Sequence, residues 1–320
     1  MHQLVTLGIA SGLGANHPGC RFAPILIKRR TTQADPMDPR AIELQWEDIL
    51  RPRPSLKGPA ALADLVRRCA RHIVPIVARG ARFIVIGGDH STAMGVWQSV
   101  LQGLHPNQRF GLLWIDAHLD LHNFASSPSG LVHGMPLAAL LGVADPPLRR
   151  IYGDGPHLEA ERLLLFGARS WEPEEQALLQ RLGLRSLDMA EIVRRGSVEQ
   201  AFKEGLTWLR SRCDSFGVSI DLDAIDPLDA PGVGTPVPAG LSGTALCTAL
   251  RGLAEDPRFL GVEIAEFNPL LDPAQRTLER VLELLEALFG EAIRPNRSLG
   301  SFSSGISCSA RPSPISWARR

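Results

Sequence analysis

The chain has 320 residues, of which 44% are hydrophobic and 21% charged, a composition typical of a soluble globular protein with one large α/β domain. Its 34 basic and 34 acidic residues balance, which argues against a surface that binds nucleic acid. No apolar run reaches the ~18 residues of a membrane-spanning helix, so no membrane association is expected.

Apolar segments typical of buried strands alternate along the chain with amphipathic segments typical of helices. The predicted strands cover residues 4–10, 82–88, 110–116, 162–168, 216–222 and 259–265. The predicted helices cover residues 58–79, 91–102, 134–142, 174–182, 197–212, 241–255 and 274–290. This alternation predicts a single-domain, doubly wound parallel sheet flanked by helices, with ligands bound beyond the carboxyl ends of the strands.

The N-terminal segment and the cysteines both bear on where the protein works. Residues 1–10 lack a basic region before an apolar one, so they are interpreted as a first strand and not as a signal peptide. The five cysteines are odd in number, scattered and without C-x-x-C spacing (Cys20, Cys69, Cys213, Cys247 and Cys308). Reduced thiols and a cytoplasmic location are therefore expected.

Two segments outside this pattern need an interpretation. The glycine-containing loop 11–24 lacks the full G-x-G-x-x-G pattern of dinucleotide-binding proteins, and Pro18 and Pro24 interrupt the helix which that motif requires. It is expected to form a rim of the binding pocket. The stretch 292–320 is rich in Ser, Pro and Arg and has little apolar periodicity. We expect a catalytic domain over 1–291 and a tail over 292–320, either disordered or lying on a neighbouring subunit.

Three short blocks of potential metal ligands each close a predicted strand: GGDH at 87–90, DAHLD at 116–120 and SIDLDAID at 219–226. In an extended chain, residues i, i+2 and i+4 share one face, so the first, third and fifth residues of DAHLD should point the same way. Asp221 and Asp223 should do so as well. Each block alone is ordinary: a solvated strand end, or a glycine turn before a helix that Ser91 could cap.

Together the blocks predict a metal centre, because buried carboxylates repel one another unless cations neutralise them. The set is rich in carboxylate, includes imidazole and lacks thiolate, which suits Mn, Mg or Fe. Two such ions sharing bridging carboxylates could activate a water between them.

The motifs resemble those of the ureohydrolase (arginase/agmatinase) family, and the arginase branch most. The resemblance rests on GGDHS at 87–91, WIDAHLD at 114–120, SPSGLVHGMP at 127–136, SIDLDAIDP at 219–227, GTPVPAGL at 234–241 and EFNP at 266–269. It covers about residues 4–290. It implies the arginase-like three-layer α/β/α fold, a homo-oligomer (trimer or hexamer) and two Mn²⁺ ions per subunit.

The resemblance also implies roles for individual residues. One ion would be held by His90, Asp116, Asp120 and Asp221, and the other by His118, Asp116, Asp221 and Asp223. Glu266 would pair with a guanidinium, Asp120 would pass a proton to the leaving amine, and His133 would exchange protons with solvent. The implied reaction releases urea and an amine, as water activated by the two ions attacks the guanidinium carbon.

The implied substrate contacts depart from the usual arginase pattern at two positions. His122 stands where an Asn is usual, with Asn123 beside it, and Glu172 stands where an Asp is usual. The residues expected to contact the substrate are His122, Asn123, Ser129, Glu172, Glu175, Thr235 and Glu266. His122 could still donate to a carboxylate and Glu172 could still accept from an ammonium.

The resulting hypothesis is an arginase, acting on a small guanidino substrate with L-arginine as the expected one. The alternatives are another amidinohydrolase, acting on agmatine or guanidinobutyrate, and two proteins of other classes: a non-catalytic metal-binding protein, or a deacetylase on the same scaffold. Urea release from a panel of guanidino substrates separates the amidinohydrolases from one another. Bound manganese without turnover would indicate the non-catalytic protein, and acetate release from acetyl-polyamines without urea would indicate the deacetylase.

Overall fold

The computed structural model of the protein describes residues 3–33, 38 and 41–295. One eight-stranded sheet forms its centre, in the order β2-β1-β3-β8-β7-β4-β5-β6, and every neighbouring pair of strands is parallel. The strands are β1 (Leu4–Ile9), β2 (Trp46–Leu50), β3 (Arg82–Ile86), β4 (Phe110–Ile115), β5 (Leu163–Phe166), β6 (Arg185–Leu187), β7 (Ser215–Asp221) and β8 (Phe259–Ala265).

Helices cover both faces of this sheet. They are α1 (Ala23–Thr32), α2 (Gly58–Ala78), α3 (Ala93–Gly103), α4 (Pro136–Leu140), α5 (Pro146–Tyr152), α6 (Pro173–Leu182), α7 (Met189–Arg194), α8 (Val198–Arg210), α9 (Gly243–Leu250) and α10 (Arg276–Phe289). One core cluster contains buried residues of α2 to α6, and the other contains buried residues of α1 and α7 to α10. The architecture is therefore three-layered, α/β/α.

The central strands are predominantly apolar because they are buried on both sides. In β4, Leu112 and Trp114 belong to one core, whereas Leu113 and Ile115 belong to the other. This alternation follows from the two-residue period of a strand. The structure thus confirms the predicted doubly wound sheet.

All six predicted strands are present, and two more lie at the edges of the sheet. β2 and β6 are short and partly exposed, so neither has the apolar run by which a central strand is recognised. Three helices were also missed, α1, α5 and α7. The last two are only seven and six residues long, which is too short for a periodic pattern to emerge.

Several predicted helix boundaries are wrong for local reasons. Residues 90–92 form a 3-10 turn before α3, and the side chain that caps this turn is Asp89, not Ser91. The loop predicted over 11–24 ends earlier, because α1 begins at Ala23 with Pro24 in its first turn, where proline is tolerated.

Of the predicted tail, residues 296–320 lie outside the described residues. The residues directly before this segment contact the rest of the fold, because the backbone N–H of Glu43 donates to the Ile293 carbonyl at 2.8 Å.

Within the described residues, no helix combines the length and the hydropathy that crossing a bilayer requires.

Candidate metal centre and active site

The three sequence blocks converge at the carboxyl ends of β3, β7 and β4. β8 lies between β3 and β7 in the sheet, so the segment that follows it, with Glu266, enters the same site. Parallel strands bring all their carboxyl ends to one edge, which is why residues distant in sequence meet here.

The segment after β4 turns sharply, so the expected extended arrangement of DAHLD is wrong. His118 N–H donates to Asp116 Oδ1 at 2.7 Å, which folds the chain back directly after the strand. Asp120 has φ +53°, in the left-handed region. The three side chains therefore do not share one strand face, although all three still reach the site.

The segment after β7 departs from the extended arrangement in a similar way. Asp221 ends the strand, and Asp223 lies in a 3-10 turn over Leu222–Ala224. Asp223 N–H donates to Asp221 Oδ1 at 2.9 Å. A side chain that accepts from the backbone two residues later stabilises such a turn, and it fixes the orientation of both carboxylates.

A first cluster of ligand atoms surrounds His90. Its Nδ1 lies 3.1 Å from Oδ2 of each of Asp116, Asp120 and Asp221. These side chains are almost fully buried. Nevertheless, among the residues that the structure describes, neither His90 Nδ1 nor Asp120 Oδ2 has a partner with hydrogen-bond geometry. Buried polar atoms are rarely left unpaired, so converging orphan atoms indicate a site for a cation.

A second cluster shares Asp116 with the first. His118 Nδ1 lies 3.1 Å from Asp223 Oδ2 and 3.5 Å from Asp116 Oδ1. Asp116 thus faces one cluster with each of its two oxygens, as a bridging carboxylate would. Thr235 Oγ1, predicted to contact substrate, donates instead to Asp223 Oδ2 at 2.9 Å and orients that carboxylate.

The protonation equilibria reflect four carboxylates that face only two imidazoles. Burial and the repulsion from Asp223 and Asp116 raise the pKa of Asp221 well above its usual value. Burial and the charge of Asp116 raise the pKa of Asp120 to about 7. Burial opposes charge on the histidines, but the surrounding carboxylates outweigh it: the pKa of His118 rises to about 12 and that of His90 rises well above its normal range. The cluster thus retains protons where cations would otherwise balance the negative charge.

These residues fit a pair of divalent cations. Four carboxylates match the charge of two such ions, and oxygen and imidazole donors without thiolate suit hard or borderline metals. Within this centre, two groups of three potential ligands are close enough to chelate one ion each: His90, Asp116 and Asp120, and Asp116, His118 and Asp223. The predicted metal ligands are therefore all brought together, with Asp221 beside the first group.

A layer of buried polar residues orients the ligands, and the sequence analysis missed it. His90 Nε2 lies 3.1 Å from Ser219 Oγ, which donates to Glu263 Oε2 at 2.6 Å. Trp114 Nε1–H donates to Asp116 Oδ2 at 3.0 Å. Such outer contacts fix the orientation of a ligand and raise its basicity. The available signal was Glu263 itself, a single acid in the otherwise apolar strand β8.

Glu266 and His133 form a pair beside the first cluster. Glu266 Oε1 accepts from His90 N–H at 2.9 Å and lies 3.1 Å from His133 Nδ1. Burial disfavours the charged imidazole, but Glu266 outweighs it and raises the pKa of His133 to about 9. His133 N–H donates to the Gly14 carbonyl at 3.2 Å, so the loop after β1 borders the site as expected.

Asp89, which the sequence analysis did not single out, fixes this border. Its fully buried carboxylate accepts the backbone N–H groups of Gly14 and Ser91, both at 3.1 Å. It thereby joins the loop after β1 to the turn that carries His90.

The residues expected to bind the far end of the substrate contact one another. His122 Nε2 lies 3.0 Å from Glu172 Oε2 and 3.4 Å from Glu175 Oε2. Glu175 is buried and accepts the Leu121 N–H at 3.0 Å and the Glu172 N–H at 3.1 Å. It therefore holds the segment after Asp120 against the start of α6. Burial raises the pKa of Glu175 to about 7.

Two other residues predicted to contact the substrate accept hydrogen bonds from the backbone of their own loop. Asn123 Oδ1 accepts the N–H groups of Ala125 and Ser126 at 3.0 and 3.1 Å. Ser129 is exposed, and its Oγ accepts from Leu131 N–H at 3.2 Å. The hydroxyl that touches His122 is that of Ser126, with its Oγ 3.2 Å from Nδ1, and the sequence analysis did not predict it.

The fold and the site together define a three-layer α/β protein with a candidate binuclear metal centre at the carboxyl edge of its sheet. The sequence matches the profile of the arginase family over residues 2–290. The arginase of Bacillus caldovelox is 37% identical over 238 residues, which make up 74% of this chain and 78% of that protein.

Solved structures agree with this match. The crystal structure of the Bacillus caldovelox arginase superposes with a TM-score of 0.81 at 32% identity, covering 91% of this chain and 99% of that one. The arginase from Bacillus cereus gives 0.80 at 32% identity, covering 90% and 99%. The chain belongs to the arginase family, and it is a hydrolase of the arginase type.

Proposed function

We propose that the protein is a binuclear manganese arginase, which hydrolyses L-arginine to L-ornithine and urea. The observation that carries the proposal is Asp116, whose two carboxylate oxygens face two separate groups of ligand atoms. The relatives named above as arginases supply the expected substrate.

The two clusters support the ligand sets that the family resemblance implies. His90, Asp116, Asp120 and Asp221 would hold one Mn²⁺ ion, while His118, Asp116, Asp221 and Asp223 would hold the other. A bound pair of such ions lowers the pKa of a water molecule so that it can act as a nucleophile near neutral pH.

Glu266 is placed to hold the substrate guanidinium. Its Oε1 already accepts from His90 N–H, which fixes the carboxylate at the edge of the centre, and a cation could pair with the acid there. The guanidinium would compete with His133 for pairing with the Glu266 carboxylate. Because the charge of that carboxylate is what raises the pKa of His133, its neutralisation would free the imidazole to transfer protons near neutral pH. Asp120 would pass a proton to the leaving amine.

The far end of the substrate meets His122 and Glu172. Their mutual contact at 3.0 Å supports a second candidate, a guanidino acid without an α-amino group such as guanidinobutyrate, because Glu172 already has a partner within the protein. For L-arginine, the α-ammonium would displace His122 from Glu172, and Ser129, Asn123 and His122 would border the carboxylate. Agmatine, which lacks the carboxylate, should be the poorest substrate of the three.

Urea release by the Mn²⁺-loaded protein from L-arginine, agmatine and guanidinobutyrate tests the proposal. We expect L-arginine to be preferred, and His118→Asn or Asp223→Ala to abolish the reaction. Asp214→Asn, which removes an exposed carboxylate paired with Arg109, is the matched control and should keep full activity. A wide preference for agmatine, or acetate release from acetylated amines without any urea, would refute the proposal.

We also propose a cytoplasmic homo-oligomer, a trimer or hexamer, with its catalytic domain over 1–291 and a separate tail over 292–320. The four cysteines for which the structure gives a state are free and buried, which supports a reducing compartment. The match to the family ends at residue 290, directly after α10, and this supports the boundary. Light scattering of the full chain and of a chain ending at residue 291 tests the oligomeric state and whether the tail contributes to it.

A further inference from the structure

Arg169 lies three residues beyond the end of β5 and is only partly exposed. A guanidinium has five N–H donors, and here each one meets a backbone carbonyl. The acceptors are Pro238 for Nε at 3.1 Å, Gly167 and Ala224 for Nη1 at 3.3 and 3.0 Å, and Asp223 and Val237 for Nη2 at 2.8 and 2.6 Å. No donor is left for a carboxylate or a substrate.

The accepting carbonyls lie on segments that build the metal centre. One is the turn after β7, where the Arg169 side chain binds the carbonyl of the proposed ligand Asp223 itself. Another is the segment that follows Thr235, the residue whose hydroxyl orients the Asp223 carboxylate. The backbone N–H of Arg169 donates at 2.8 Å to the carbonyl of Ala117, between Asp116 and His118. One residue therefore joins three segments on the same side of the centre.

The guanidinium is closely packed where the chain passes it at Gly240. A Cβ on Gly240 would lie 2.6 Å from Arg169 Nη2 and 2.6 Å from the Asp226 backbone nitrogen. A glycine is therefore required where the segment after Thr235 returns past Arg169. Lysine could not replace the guanidinium, because its three donors sit on one atom and cannot reach carbonyls on separate segments.

The charge of Arg169 also acts on the centre. The carboxylates that interact electrostatically with its guanidinium include Asp223, Asp116 and Asp221. A fixed positive charge beside these carboxylates offsets part of their mutual repulsion. Arg169 leaves the carboxylate oxygens of the metal ligands free, because all its N–H donors bind backbone carbonyls.

We propose that Arg169 is a positioning residue for one half of the metal centre, the half formed by His118 and Asp223. Its loss loosens the Asp223 turn and the Thr235 segment, while the cluster around His90 keeps its contacts to Ser219 and Glu266. The inference rests on the proposed function only in that the centre takes two Mn²⁺ ions. It concerns ion binding and not the identity of the substrate.

The test is calorimetric titration of the full chain, stripped with EDTA, with Mn²⁺ alone. Arg169→Lys is compared with the wild type and with Arg109→Lys, which alters an exposed ion pair with Asp214. We expect two ions in all three proteins. In Arg169→Lys, one ion should bind about 10–100-fold more weakly, the range found for contacts behind a metal ligand, and the other should be unchanged. Equal weakening of both ions, or no weakening, overturns the inference.

A second variant keeps the inference testable if Arg169→Lys does not fold. Thr235→Val removes only the hydroxyl that donates to Asp223, and it should weaken one ion and not the other. Two ions bound with wild-type affinity in that variant contradict the inference. Failure of the proposed function looks different: the wild type would bind two ions and release no urea from any guanidino compound, whereas the unequal weakening would persist.

Discussion

Replacing Asp120 with Asn should stabilise the metal-free protein while weakening its metal site. The Asp120 carboxylate is buried, and burial together with Asp116 raises its pKa from 3.8 to about 7. Asparagine has nearly the same shape, carries no charge, and is among the residues that best tolerate the left-handed backbone at this position, where φ is +53°. The substitution thus removes the charge with little other change.

The magnitude follows from the linkage between pKa and folding. Because the folded-state pKa is raised, the folded protein holds a proton that the unfolded chain has already released. Stability from this group is therefore present at low pH and is lost as pH rises from about 4 through about 7. The rise in the pKa of Asp120 from 3.8 to about 7 lowers the free energy of unfolding by roughly 4 kcal/mol at pH 8. At pH 5 the same group lowers it by only about 1.5 kcal/mol.

Urea denaturation of the EDTA-treated protein at pH 5 and pH 8 measures this effect. We expect Asp120→Asn to be more stable than the wild type by about 2–4 kcal/mol at pH 8, with a smaller gain at pH 5. Addition of Mn²⁺ should reverse the order, because the wild type then gains more from binding. A variant that is less stable than the wild type at pH 8 without metal would refute the reasoning.

The further predictions concern three residues around the centre, with Gly80, which lies before β3, as a comparison for one of them. Ser219→Ala should weaken Mn²⁺ binding about 10–100-fold in a calorimetric titration, because His90 loses its outer partner, while circular dichroism stays unchanged. Gly88→Ala should cost about 3 kcal/mol or more in urea denaturation, since its Cβ would lie 1.7 Å from the Ser11 carbonyl oxygen. Gly80→Ala should cost only about 1 kcal/mol, because nothing lies within 4 Å and only φ, at +69°, is unfavourable. His122→Asn should lower the KM for L-arginine with little change in kcat, because Glu172 loses a competitor for the α-ammonium; a raised KM contradicts this.

The central part of the fold could be predicted because its signals are strong and local. β4 is apolar along its whole length and β7 is mostly apolar, as expected of strands that are buried on both faces. β2 and β6 lie at the sheet edges, so solvent replaces one neighbour and their sequences need no apolar run. The short helices α5 and α7 are held by tertiary packing, which a local pattern does not contain.

The identity of the metal ligands could be predicted, but their arrangement could not. The types of ligand residue and the ends of the strands can be recognised in the sequence. The turn after β4, however, depends on the hydrogen bond from the backbone N–H of His118 to the Asp116 side chain, which the sequence does not show. The role of Arg169 was hidden for a related reason. Its partners are backbone carbonyls, and any residue can supply a carbonyl at those positions.

Metal analysis of the purified chain tests the central claim most directly. After loading with Mn²⁺ and removal of the excess, mass spectrometry of the metal content should give two manganese ions per chain, and fewer than two for His118→Asn. A wild-type protein that retains no stoichiometric metal under these conditions would contradict the assignment of the carboxylates and imidazoles to a binuclear centre.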